Sequence, residues 1–185
     1  MIKKINIPGL HNSDENHWQT YFEKIKPTEY IRIQQKNWDK PDCETWIEKI
    51  EEELSVFNYA DLILIGHSIG CMAIVKWHEK FKHKIKGALL VAPSDAERKN
   101  YPPYITGFTP IPMTPLPFPS IIVGSTNDHV TDITRTREFA DKWGSKLIIL
   151  QDAGHIEPKS GYGNWSFGFE LIKELESKNL SSYLT

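Results

Sequence analysis

Apolar residues fall into two alternating rhythms along the chain. Short β-like runs occur at Lys4–Ile7, Tyr30–Gln34, Leu62–Ile65, Ala88–Val91, Ser120–Gly124 and Lys146–Leu150. Most are continuously apolar, as strands covered on both faces require. Between them, apolar residues return every third or fourth position. Trp18, Phe22 and Ile25 form one helical stripe, after an Asn12-x-x-Glu15 spacing that predicts a capping box. Trp46 or Ile47 joins Ile50, Leu54 and Phe57 in a second stripe, starting near Asp42. Met72, Val75 and Phe81 mark a third helix, and Ile133, Phe139 and Trp143 a fourth, with Thr131 as its expected cap. Phe167, Leu171, Ile172 and Leu175 suit a closing helix. Strands alternating with helices predict a parallel, doubly wound sheet with right-handed crossovers.

One interval breaks the rhythm. Residues 94–119 hold seven of the chain's 12 prolines, a density that excludes a long helix or a central strand. An ordered, irregular excursion over one face of the sheet is expected, as a connector or as a lid or pocket wall. With 185 residues and neither repeat nor linker, the chain reads as a single domain over 1–185. A formal net charge of −2 gives no electrostatic case for nucleic acid or an anionic membrane. No apolar run approaches the roughly 18 residues of a spanning helix, and the start of the chain lacks a signal-peptide pattern. Two cysteines, Cys43 and Cys71, make no disulfide framework, so a cytoplasmic protein is expected.

Chemistry enters at Leu62–Val75, "LILIGHSIGCMAIV". Gly66-His67-Ser68-Ile69-Gly70 fits the G-x-S-x-G nucleophile elbow in its required setting of strand, turn and helix. Both glycines answer crowding, since a side chain on either would collide with the neighbouring strand or helix. The turn strains Ser68 and presents its hydroxyl at a helix N-terminus, where backbone amides favour developing negative charge. A serine hydroxyl needs a base to take its proton, and the base needs a carboxylate to orient it. In folds with this elbow, acid and histidine follow later strands in that order. Asp128 follows the Ser120–Gly124 run and His155 follows Lys146–Leu150. Asp95, after Ala88–Val91, occupies another position that hydrolases use for the acid, and Asp132 lies one turn beyond Asp128.

Four segments, "IPGLHNSDENHWQ", "LIGHSIG", "IIVGSTNDHV" and "DAGHIEPKSGYGNW", make nearly the whole chain resemble the compact α/β-hydrolase-fold serine hydrolases. The likeness is to the YdeN-like group, related to retinoblastoma-binding protein nine. It implies a three-layer α/β/α sandwich, a reduced hydrolase fold with six parallel strands in the order 2-1-3-4-5-6. It also implies a triad of Ser68, Asp128 and His155, with carboxylesterase-like activity on small acyl substrates and no cofactor. Two N–H donors should hold the oxyanion: the amide of Ile69, and one from the loop after the first strand, expected at Leu10.

Other residues have quieter expectations. His11, Trp38 and His129 are candidates for the substrate pocket, and His67 should point into the fold. His78 and His83, five apart, do not share a helix face, and with no H-E-x-x-H pattern a metal site is not expected. Cys71 is read as a packed small residue, and Ser160–Trp165 as a brace for the His155 loop. A second class of function is a protein-binding module on a hydrolase scaffold. The L-x-C-x-E motif that binds retinoblastoma protein has no counterpart: around Cys43, Pro41 and Thr45 stand where leucine and glutamate are needed. A thioester- or peptide-directed hydrolase is the remaining alternative. The oligomeric state is not legible.

Overall fold

Successive residues of the central strands enter different cores, which explains why their sequences lack alternation. The computed structural model describes residues 1–178; residues 179–185, the end of the expected 1–185 domain, lie outside the described residues. Its strands are β1 (Lys3–Ile7), β2 (Tyr30–Arg32), β3 (Leu62–His67), β4 (Gly87–Val91), β5 (Ser120–Ser125) and β6 (Lys146–Leu150). Its helices are α1 (Trp18–Ile25), α2 (Cys43–Leu54), α3 (Ile69–Phe81), α4 (Ile133–Trp143) and α5 (Ser166–Ser177). All strand pairs are parallel, in the order β2-β1-β3-β4-β5-β6, as the resemblance implied.

Leu62 and Leu64 of β3, with Ala88 and Leu90 of β4, pack into one core with α2, α3 and α4. Ile63, Ile65, Leu89 and Val91 turn the other way, onto α1 and α5. β3 and β4 are buried along their whole length, so their apolar runs are continuous. A buried Leu or Ile contributes about 1.5–3 kcal/mol relative to exposure, so these two cores carry most of the driving force.

The 94–119 segment is irregular but anchored. Phe108, Ile111, Leu116 and Phe118 are buried in the α2–α3–α4 core. Trp143 Nε1–H donates to the carbonyl of Pro112 (2.7 Å), and Thr106 pairs with Asp42 in an isolated bridge.

Several local expectations need correction. α1 is not capped by an Asn12–Glu15 box. His11 and Asn12 adopt left-handed φ values of 64° and 66°, which turn the chain away from a helical start. The cap is His17, whose Nδ1 accepts from the amide of Gln19 (3.2 Å). Ile25 closes α1 at 54% exposure instead of completing its buried stripe. Asp132, not Thr131, caps α4; Thr131 Oγ1 instead accepts from the amide of Asp95 (2.9 Å). β2 ends at Arg32, two residues short of the expected Gln34, with the amide of Ile33 still donating to Asn6 O of β1 (3.0 Å). No helix among the described residues is long and apolar enough to cross a membrane.

Candidate active site

The elbow between β3 and α3 is fixed by exclusion. Ser68 has φ 55° and ψ −124°, a backbone conformation that a non-glycine residue adopts only when its surroundings hold it there. Its amide donates to Val91 O (3.0 Å) and its carbonyl accepts from Cys71 N (3.1 Å). A Cβ on Gly70 would lie 2.1 Å from the carbonyl oxygen of Ile7, and one on Gly66 would lie 2.8 Å from the amide nitrogen of Cys71. The spacing of the motif therefore records two close backbone approaches. Cys71 is buried, as expected, with its Sγ 3.4 Å from Val91 O.

The loops after β5 and β6 are fixed by hydrogen bonds. Ser125 Oγ accepts from the amide of Ala153 (2.9 Å) and donates to Asn127 Oδ1 (2.9 Å). Asn127 Oδ1 also accepts from the amide of Gly154 (2.7 Å). Thr126 Oγ1 accepts from the amide of Asp152 (3.0 Å). This latch joins the segment carrying Asp128 to the one carrying His155. Sequence reasoning missed it; the only signal was a run of polar turn formers, Ser125-Thr126-Asn127, at a strand end.

At the C-terminal edge of the sheet the structure brings three side chains into a line. Ser68 O–H donates to His155 Nε2 (2.9 Å), and His155 Nδ1–H donates to Asp128 at 3.0 Å from Oδ1 and 2.9 Å from Oδ2. The side chains of His155 and Asp128 are 8% and 3% exposed, so both groups meet each other more than water. Asp128 Oδ1 also accepts from the amide of Val130 (2.8 Å). Asp95 and Asp132 are engaged elsewhere: Asp95 lies 3.4 Å from Arg135 Nε, and Asp132 caps α4.

His67 points into the fold, where its Nε2–H donates to the carbonyl of His155 (2.9 Å) and burial pushes its pKa well down. Trp18 Nε1–H donates to Ile156 O (2.9 Å), and Trp18 packs against Trp165 at 5.3 Å between ring centres. Both tryptophans thereby brace the histidine loop.

A cavity of about 290 Å³ opens over Ser68. Of the pocket candidates, His11 and His129 line it, as does Leu10, while Tyr101, Pro102 and Ile105 bring the proline-rich segment in as one wall. Trp38 does not line it, a departure from expectation. Its ring stands edge-on to Trp46 at 5.5 Å, which turns it toward α2. His11 reaches outward to Asp39 (2.9 Å). Three further lining residues, His17, Arg98 and Tyr101, were not singled out for this site in the sequence. Their side chains are brought in by turns that no local pattern announces. His78 and His83 do meet, through His78 Nδ1 and the carbonyl of His83 (3.0 Å), but no group of three potential metal ligands occurs among the described residues.

A doubly wound parallel sheet with a strained serine at the end of its third strand defines an α/β-hydrolase-type serine hydrolase. The serine hydrolase family matches residues 4–174, and the chain belongs to that family. Among solved structures, a Pectobacterium atrosepticum protein assigned as a YdeN-like hydrolase is 31% identical, with a TM-score of 0.83 over 100% of this chain and 94% of that one. The ydeN gene product of B. subtilis is 16% identical, with a TM-score of 0.75 over 96% of this chain and 100% of that one. Carboxylesterase CesB from Bacillus subtilis is 11% identical, with a TM-score of 0.64 over 95% and 84%. At such identities the last two establish a shared fold. No curated protein matches the sequence.

Proposed function

We propose that this hydrolase cleaves small carboxylic esters through a triad of Ser68, His155 and Asp128 and an acyl-enzyme intermediate. The observation that carries the reading is the unbroken line from Ser68 Oγ through His155 to Asp128, at 2.9 Å on each side of the ring. In the forward step His155 Nε2 takes the Ser68 proton, Oγ bonds to the substrate carbonyl carbon, and the alkoxide leaves with that proton. Water then attacks the acyl-enzyme, with His155 again taking and returning a proton, and the free acid departs. Asp128 holds the ring in the tautomer this needs.

The amides of Ile69 and Leu10 are the oxyanion donors in this reading. In support, neither donates a hydrogen bond to a protein group among the described residues, and the Leu10 loop presses on the nucleophile. A Cβ on Gly9 would lie 2.9 Å from Ser68 Cβ. A cavity of about 290 Å³ suits a small acyl substrate, at the low end of ligand pockets. The test is hydrolysis of 4-nitrophenyl acetate, butyrate and hexanoate. Wild type should turn over with an acyl burst, and Asp128→Asn should lose on the order of 10⁴-fold in kcat. Equal rates in Asp128→Asn and wild type would remove Asp128 from the reading.

A further inference from the structure

Five buried side-chain polar atoms among the described residues have no hydrogen-bond partner: Asn6 Oδ1, His17 Nε2, Gln35 Oε1, Arg98 Nε and Tyr101 Oη. Buried polar groups are paired in the great majority of cases, so each such orphan asks for an explanation. The last two and His17 belong to the wall of the cavity over Ser68, whereas Asn6 and Gln35 do not. The two outside the cavity are amide oxygens, which accept. All three in its wall donate. His17 Nδ1 accepts from the amide of Gln19, which puts the ring proton on Nε2. Arg98 Nε–H has no acceptor role; Tyr101 Oη has the Ser94 side chain beside it but outside hydrogen-bond geometry, and burial holds it protonated by raising its pKa to about 12.

Charge points the same way. Arg32 meets Glu23, and Arg135 meets Asp95, Glu97 and Glu138. Arg98 and the exposed Arg137 meet no carboxylate among the described residues, and of these two only Arg98 lines the cavity; its Nη1 donates to the carbonyls of His129 (3.3 Å) and Val130 (3.0 Å). Those two bonds fix the guanidinium against the loop that follows Asp128. Tyr101 lies beneath it, with the guanidinium carbon 5.8 Å from the ring centre. The cavity wall carries two cations, Arg98 and Lys159, against one carboxylate, Glu157.

We infer that the substrate carries a carboxylate in addition to its scissile acyl group, held by Arg98 with Tyr101 at its side. With Nη1 spent on two carbonyls and Nε shut away from solvent, Nη2 is the end of the guanidinium left to donate to a carboxylate, which leaves the transferred carbonyl free to face Ser68. The inference rests on the esterase reading above and adds the chemical class of ester: one bearing an anion within a small cavity's length of the bond that breaks.

Two ester pairs locate that anion. Mono-4-nitrophenyl adipate against 4-nitrophenyl hexanoate places a carboxylate on the acyl side. 4-Acetoxybenzoate against its methyl ester places it on the leaving group. With each rate divided by that of the same ester with hydroxide, wild type should favour the carboxylate member of one pair by about tenfold or more in kcat/KM. Arg98→Gln should bring that ratio to near one, Arg98→Lys should keep part of it, and Tyr101→Phe should lower it less. Wild-type protein alone gives a second readout: adipate should inhibit hexanoate ester hydrolysis at lower concentration than hexane-1,6-diol. Turnover of neutral esters with no preference in either pair, or a preference undiminished in Arg98→Gln, overturns the anion site and leaves the esterase reading standing. Failure of all four esters overturns the anion site as well, and if wild type is also not labelled by a fluorophosphonate the esterase reading falls with it.

Discussion

The two halves of the site are held in place by different forces. At the elbow, Gly66 and Gly70 let backbone approach backbone so closely that no other residue fits, and Ser68 sits strained between them. Across the cavity, Asp128 and His155 ride on turns joined by the side chains of Ser125, Thr126 and Asn127. The first half is steric, coupled to the central strands and hence to global stability. The second half is polar, with Thr126, Asn127 and Asp152 on exposed turns, and its loosening should alter geometry before it alters the fold.

Gly70→Ala is the harshest test of that contrast. Its Cβ would stand 2.1 Å from the carbonyl oxygen of Ile7, which belongs to the sheet and has nowhere to move. A loss of about 3 kcal/mol or more in chemical denaturation is expected. A variant within about 1 kcal/mol of wild type would show that the elbow is not sterically locked. Asn127→Ala should behave in the opposite way. Removing an acceptor shared by Ser125 and Gly154 should cost about 1–2 kcal/mol of stability but lower kcat by as much as about 10²-fold, through misplacement of His155 relative to Asp128. If Asn127→Ala lost stability with kcat intact, the latch would be structural only.

His17 lies between the halves, its ring 4.8 Å from that of His67. Burial lowers its pKa to about 4, against roughly 6.5 for an unfolded histidine. The unfolded chain therefore binds this proton first as pH falls. Stability held above pH ~6.5 is drained on the way to ~4, at a slope set by the proton difference. His17→Asn keeps a side-chain oxygen for the helix cap and removes the titration. Its unfolding free energy should change less between pH 7 and 4.5 than wild type does, by about 2 kcal/mol. His67, also depressed by burial, keeps part of the slope in both proteins. Identical slopes would mean that His17 is not held neutral by burial.

The same contrast explains what could be read from the chain. Gly66, Ser68 and Gly70 act within five residues, so their spacing carries the elbow's geometry directly. The central strands were legible as apolar runs, because burial on both faces left a one-dimensional trace, whereas their order came only from the family resemblance. The latch left none, because Ser125 and Asn127 find their partners 28 and 27 residues away, and polar turn residues look alike until the turn is closed. Trp38 is absent from the cavity for a related reason: a tryptophan in a polar loop has no periodicity to say whether it faces Ser68 or α2, and Trp46 decided it. The orphaned donors of Arg98 and Tyr101 belong to a segment without regular structure, where no repeat pattern links side-chain direction to sequence position.

The central claim is that Ser68 Oγ is made nucleophilic by His155. Incubation with a fluorophosphonate, followed by intact-mass and peptide mass spectrometry, reads this without any assumption about substrate. One phosphonyl adduct per chain is expected, on the peptide containing Ser68, absent in Ser68→Ala and formed far more slowly in His155→Ala. An adduct on another residue, or one formed equally fast without the imidazole, would contradict that claim.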